Sequence, residues 1–285
     1  MELGAFGMWV NHRSTPVEDL VASARLAEEL GFGTFWCSGS PEPEQLRPVL
    51  DATTTVVVAA AMVNMWSSDP ADVARQAAAL EREHPGRVLI GVGAGHPEGD
   101  ADYSRPFEHL TGFLDGLDAA AEPLPADRRV LGALRPRTLR LAGERSRGTV
   151  PYFTVPAHTR FARERLGQGP IVAPGVSFVL DADPQRARET AREFVHWYLG
   201  LANYTGNLKA FGYTDGDFAG RGSDRLVDAV VPHGSAAQVA AGAREHLDAG
   251  ATHVGLELVG GGGRAAWAAL ADALGLRVPA RGASR

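Results

Sequence analysis

The sequence predicts an α/β fold built on a parallel sheet, and two observations predict it. Apolar, β-branched or aromatic runs alternate with helical patterns about eight times along the chain, which is how a parallel sheet with crossover helices reads. The chain has 285 residues, 45% of them hydrophobic, enough for one large core at a length α/β barrels commonly reach as a single domain. Eight units favour a closed (β/α)8 TIM barrel over an open doubly wound sheet. The expectation is one domain over 1–285, with an insertion at about 197–231 between strands seven and eight.

The elements follow in order. Leu3–Trp9 is the first strand. Thr15-Pro16 then opens a helix over Val17–Leu30 closed by Gly31, with Thr15 as cap, proline in the first turn and a C-terminal glycine. Thr34–Cys37 and Thr55–Val63 are the next two strands, and Asp69-Pro70 opens the helix Ala71–His84. Arg87–Gly93 is the fourth strand, followed by a helix over Tyr103–Ala121. Strands at Arg129–Ala133, Thr149–Thr154 and Gly175–Leu180 alternate with helices at Pro136–Glu144, Pro156–Leu166 and Asp183–Tyr198. Ser235–Ala249 and then Gly250 lead into a last strand, His253–Val259. From Trp197 to Val231 the rhythm breaks for longer than an ordinary connection, as functional lids or added elements do. Its Tyr198, Asn203, Tyr204, Asn207, Phe211 and Tyr213 suit a pocket wall or a subunit contact, or a helical excursion that packs on the barrel.

Composition narrows the function. A net charge of −6 leaves no electrostatic footprint for nucleic acid. No leader or membrane-spanning run is expected, and the lone Cys37 fits a reducing cytoplasm without internal disulfides. Lys209 is the only lysine among 28 basic residues. The glycines of "RVLIGVGAGH" (Arg87–His96) are not a dinucleotide fingerprint, because the third glycine of G-x-G-x-x-G falls on His96 or Glu98. Three glycines at a strand end either admit a ligand close to the backbone or mark an exit packed under a loop.

A barrel places its chemistry at the C-terminal strand ends. Those ends carry Trp9 and His12, Ser40, Met62-Val63-Asn64 with Trp66, Gly93-Ala94-Gly95-His96, Ala133-Leu134-Arg135, Tyr152, Asp181 and Glu257. The set lacks the His-x-His of a metallohydrolase, so no metal is expected, and it lacks the strand lysine of a Schiff-base aldolase. Only Glu98, Asp100, Asp181 and Glu257 could serve as a glycosidase pair, and Asp181 reads as a helix cap. Glycines, aromatics, amides and one or two histidines suit a bound cofactor that performs the difficult chemistry.

"HPGRVLIGVGAGHPEG", the preceding "DPADVARQAAALERE", "VNMWSSDPADV", "CSGSP" and "YLGLANYTGNLKAFGYTDGDF" resemble the F420-dependent branch of the luciferase-like monooxygenase superfamily. The resemblance runs from Phe6 to about Leu258. It implies a (β/α)8 barrel, commonly dimeric, acting on a small organic molecule with coenzyme F420, or with FMN as the alternative. It implies a non-proline cis peptide at Ala61-Met62, and a cofactor site of Ala61, Met62, Asn64, Gly93, Ala94, Gly95, Ala133, Leu134, Arg135 and Pro136. Within it Gly93 and Gly95 clear space for the ring, and the helix opening at Pro136 meets a phosphate. His96 stands where relatives place an acid/base residue, and could instead contact cofactor, substrate or loop. Trp9, His12, Ser40, Trp66, Tyr152 and Tyr204 are the substrate-pocket candidates, with His12 the rival base. The chain departs from its alcohol-oxidising relatives at Gly39-Ser40, where they carry an Asp-His pair. That favours reduction of an activated C=C or C=N bond. An FMN monooxygenase and a non-catalytic cofactor-binding barrel are the other readings.

Overall fold

Alternation of side chains along each strand divides this molecule's interior into two cores. The computed structural model describes residues 1–100 and 102–277. Residue 101 and residues 278–285 of the expected 1–285 domain lie outside the described residues. In chain order the first half runs β1 (Phe6–Asn11), α1 (Val17–Leu30), β2 (Thr34–Ser38), α2 (Arg47–Ala52), β3 (Val57–Asn64), α3 (Pro70–Glu83), β4 (Val88–Gly93) and α4 (Pro106–Ala119). Then come β5 (Arg129–Leu131), α5 (Pro136–Arg145), β6 (Gly148–Thr149), α6 (Pro156–Leu166), β7 (Ile171–Val172), β8 (Gly175–Leu180) and α7 (Pro184–Tyr198). The chain ends with α8 (Ala202–Lys209), α9 (Asp215–Phe218), α10 (Asp224–Val230), β9 (His233–Gly234), α11 (Ala236–Asp248), β10 (Val254–Leu258) and α12 (Gly263–Leu274).

The ten strands form one curled, TIM-barrel-like parallel sheet in the order β7-β6-β5-β4-β3-β2-β1-β10-β8-β9. Its end strand β7 continues through Ala173 and Pro174 into β8, and Tyr152 bridges Gly175. Met8, Phe35, Val58, Ile90, Phe178 and Leu256 face outward and pack under the helices. Their neighbours Trp9, Trp36, Ala59, Leu89, Val130 and Val150 face inward and form a second cluster. Glycines make room for the large inner rings. A Cβ on Gly255 would lie 2.8 Å from the Trp9 ring, and one on Gly175 would lie 2.6 Å from Tyr152.

Helix boundaries follow local chemistry. Asp69 caps α3, its carboxylate accepting from the N–H groups of Ala71 (2.9 Å) and Asp72 (3.0 Å). Asp69→Ala is expected to lower stability by about 0.5–2 kcal/mol in urea unfolding, with the fold kept. At α1 the cap is Pro16, not Thr15, and no side chain bonds the helix end. The cap of α7 is Asp183, and Asp181 instead accepts from the Asp183 N–H and pairs with Arg186. The helix expected from Tyr103 starts at Pro106, because Arg105 ahead of it has a φ of 45° and a residue before proline avoids helical torsions. The 197–231 segment folds as α8, α9 and α10, and Tyr204, Leu208, Leu226 and Val227 pack with Val195 of α7 in a separate apolar cluster. No helix among the described residues is long and apolar enough to cross a membrane.

Candidate active site

A cavity of about 340 Å³ opens at the C-terminal ends of the strands. Its β3 wall is irregular: the Ala61-Met62 peptide is cis, and the β3–β4 register shifts between Ala60 and Val63. The irregularity turns Met62 toward β4. A Cβ on Gly91 would sit 2.3 Å from the Met62 sulfur, and one on Gly93 would sit 2.9 Å from the Met62 Cβ.

The loop after β4 is braced from its neighbour. Asp100 Oδ1 accepts from the Asn64 amide at 2.7 Å, and Asp100 Oδ2 accepts from the His96 N–H at 3.0 Å. Gly95 has a φ of 60°, and a Cβ there would fall 2.0 Å from that same carboxylate. Behind the loop, Trp66 donates its indole N–H to the Ala94 carbonyl at 2.7 Å and stacks on His109. From above, Glu98 accepts the Ala202 N–H at 3.0 Å, and this bond fixes the first turn of α8 over the loop.

His96 thus lines the cavity, its ring 5.0 Å from that of Tyr204. Its Nδ1 is buried with no hydrogen-bond partner among the described residues. Burial lowers the pKa of the imidazole below its ordinary 6.5, against the opposing charges of Glu98 and Asp100, so the ring is neutral at pH 7.

The opposite wall is aromatic and acidic. Trp9, Glu257 and Ser177 pair in one row across β1, β10 and β8. Glu257 Oε2 accepts from the Ser177 hydroxyl at 2.8 Å and from the Tyr152 hydroxyl. Tyr152 stacks on Trp9 with ring centroids 5.5 Å apart and meets Tyr198 at the same distance. Burial raises the Glu257 carboxyl above the usual range, and burial together with that carboxylate raises the Tyr152 hydroxyl. Ser40 and Phe153, on two strand-exit loops, have positive φ of 59° and 52°, a conformation that costs a non-glycine residue energy and gathers at functional sites.

Residues 1–111 match the luciferase-like monooxygenase family. No curated protein matches the chain in sequence. Solved structures extend the likeness of fold over almost the whole chain. An F420-dependent secondary alcohol dehydrogenase, in complex with an F420-acetone adduct, aligns with a TM-score of 0.75 at 16% identity, covering 96% of this chain and 99% of that one. The coenzyme F420 dependent tetrahydromethanopterin reductase of Methanopyrus kandleri gives 0.72 at 18% identity, covering 95% and 98%. The oxygenating constituent of 3,6-diketocamphane monooxygenase from Pseudomonas putida, in complex with FMN, gives 0.66 at 16% identity, covering 90% and 92%.

Within this fold most of the expected site residues lie together. Ala61, Met62, Asn64, Gly93, Ala94 and Gly95 line the cavity beside His96 and Leu134. Trp9, Ser40, Tyr152 and Tyr204 line it as well. Five expected residues do not, each for a visible reason. His12 turns to the Ser38 carbonyl, 2.7 Å from its Nδ1. Trp66 supports the β4 loop from behind. Ala133 is fully buried in the outer core, one residue out of step with inward-facing Gly132. Arg135 and Pro136 are exposed at the start of α5. The glycines also act differently from expectation. Gly93 makes room for Met62 and Gly95 for the Asp100 carboxylate, both from within the chain, while both glycines still border the cavity. Tyr198 and Asn203, expected as pocket wall or subunit contact, line the cavity, as does Glu257, which was named only among the strand-end carboxylates. Ser177, bonded to Glu257, escaped the site prediction.

Proposed function

We propose that the chain is an F420-dependent oxidoreductase that transfers hydride between coenzyme F420 and a small organic substrate, reducing an activated C=C or C=N bond. The observation that carries the reading is His96: a neutral imidazole at the β4 exit, facing a cavity, with a buried nitrogen that nothing among the described residues satisfies. The residues present fit a deazaflavin. Ala61, Met62 and Leu134 offer apolar surface beside Gly93, Ala94 and Gly95, and Asn64 holds the loop through Asp100. The bound deazaflavin supplies or accepts the hydride. His96 supplies or takes the proton at the substrate heteroatom, the role a neutral imidazole near neutral pH performs well. Tyr204 and the first turn of α8 cover His96 and limit water there.

The exposed start of α5, with Arg135 and the first-turn Pro136, suits an anionic phosphate through its free N–H groups. Arg13 is exposed as well, whereas Arg137 is engaged by Glu108 at 3.3 Å and by the Phe107 ring. The same reading takes the curled sheet as a closed (β/α)8 barrel with the 197–231 segment inserted between its seventh and eighth strands. It makes the protein a cytoplasmic homodimer acting on a small molecule, without nucleic acid or membrane.

Parallel fluorescence titrations test the cofactor. F420 is expected to bind at least about tenfold tighter than FMN, a gap of about 1.4 kcal/mol. Tighter FMN binding overturns the F420 reading in favour of a flavin monooxygenase. F420 binding without turnover of reduced F420 against a panel of enones and imines overturns the enzyme in favour of a cofactor-binding barrel.

A further inference from the structure

The cavity has two chemically different sides. On the β3–β4 side lie Met62, Gly93 and His96, which the preceding reading gives to cofactor and proton transfer. On the other side, separated from β3 by β2 and β1 in the sheet order, lies Glu257 of β10, with Ser177 of β8 buried behind it. Glu257 is the cavity's one carboxylate, and no arginine or lysine lines the cavity among the described residues. The two hydrogen bonds that reach Glu257 both go to Oε2. Around it stand Trp9, Tyr152 and Tyr198, with Tyr204 6.4 Å from Tyr152.

A lone carboxylate among aromatic rings, with no basic side chain to neutralise it, is the chemistry that receives a positively charged nitrogen. The ring faces attract the cation through their quadrupoles, and the carboxylate accepts its N–H groups. Burial disfavours the Glu257 charge on its own, and a cation beside the carboxylate favours it again, whereas an anion there would disfavour it further.

We infer that Glu257, with the rings of Trp9, Tyr152 and Tyr198, forms a cation subsite, and that the substrates of this cavity carry a protonated amine or an iminium nitrogen. The inference rests on the preceding reading for the identity of the cavity as the substrate site.

The test uses the full-length protein without cofactor, so that it stands apart from the F420 assignment. Binding of benzylammonium, benzyl alcohol and benzoate is measured by calorimetry at one ionic strength. Benzylammonium is expected to bind at least about tenfold tighter than benzyl alcohol, the order of one charge-assisted hydrogen bond to the Glu257 carboxylate, with benzoate weakest. In Glu257→Gln, close in shape but uncharged, the preference for ammonium over alcohol should vanish while benzyl alcohol binding holds. Ser177→Ala removes one hydrogen bond to Glu257 but keeps its charge, so there the preference should persist. Equal binding of the three probes by the unaltered protein, or a preference that survives Glu257→Gln, overturns the subsite and leaves the F420 reading standing. Failure to bind F420, with the ammonium preference present, overturns only the cofactor reading.

Discussion

Replacing His96 with alanine lowers turnover by about 10²–10⁴-fold, the range for losing a general acid/base, while cofactor affinity changes little. The fold survives, because His96 sits on a loop whose brace is made by its backbone: the N–H that Asp100 accepts remains in the variant. Steady-state kinetics with saturating cofactor checks the first part and thermal melting the second. Loss of cofactor affinity with the rate intact would reassign His96 to cofactor contact. Full activity in His96→Ala beside a dead His12→Ala would move the proton role to His12, against the bond that ties His12 to Ser38. The sign of the pH profile depends on the direction of proton transfer. The His96 pKa lies below 6.5, so the proton-accepting ring persists through pH 7. A rate in which His96 takes the proton declines only as pH falls through that lowered pKa, while reduction, in which the protonated ring gives the proton, rises over the same range.

Acid also removes stability, and His253 is the reason to expect a large effect. It is fully buried inside the sheet, between the Trp36 indole N–H 2.9 Å from its Nε2 and the Gly4 carbonyl 2.8 Å from its Nδ1. An indole nitrogen only donates, so Nε2 must accept and the ring must be neutral. Burial lowers its pKa from 6.5 to about 4, and does the same for His246 and His158. In the unfolded chain these rings take up protons near 6.5, so the stability they permit is complete above that pH and is lost as pH falls toward 4. Urea midpoints should drop steeply across that window. In His253→Gln, whose amide can accept from Trp36 and donate to Gly4 without titrating, the drop should shrink by at least about 1.4 kcal/mol, the equivalent of one pKa unit. An unchanged slope would mean that His253 is not protonated on unfolding in this range.

The helices were readable because their punctuation is local: α6 spans Pro156–Leu166 and α1 spans Val17–Leu30, as their proline and glycine boundaries predicted. Strands β7 and β9 were not readable, since two residues carry no period. Pro174 interrupts the run before β8, so Ile171–Val172 reads as loop until its pairing with β6 is seen. At the site, the strand exits named the right neighbourhood, while facing was beyond reach. Ala133 and Leu134 are adjacent in sequence, yet one enters the outer core and the other lines the cavity. The row Trp9, Glu257 and Ser177 joins residues on three strands far apart in sequence, and only the β1–β10–β8 register brings them together. His12 was a fair candidate by type and position, and a single bond to a backbone carbonyl turned it aside.

Reagents that attack amines find one side chain on this protein, Lys209, the only lysine in the chain, and reagent at the α-amino group is told apart from it by peptide mapping. It is half exposed at the end of α8, paired with Asp215, on the helix whose first turn is bound to Glu98 of the β4 loop. Thiol reagents find nothing comparable, since Cys37 is buried and its pKa is raised to about 12. A dye or isotope label at Lys209 therefore reports on the segment that covers His96 without any engineered residue. It can follow cofactor or substrate entry as a change in that segment's environment, independently of turnover.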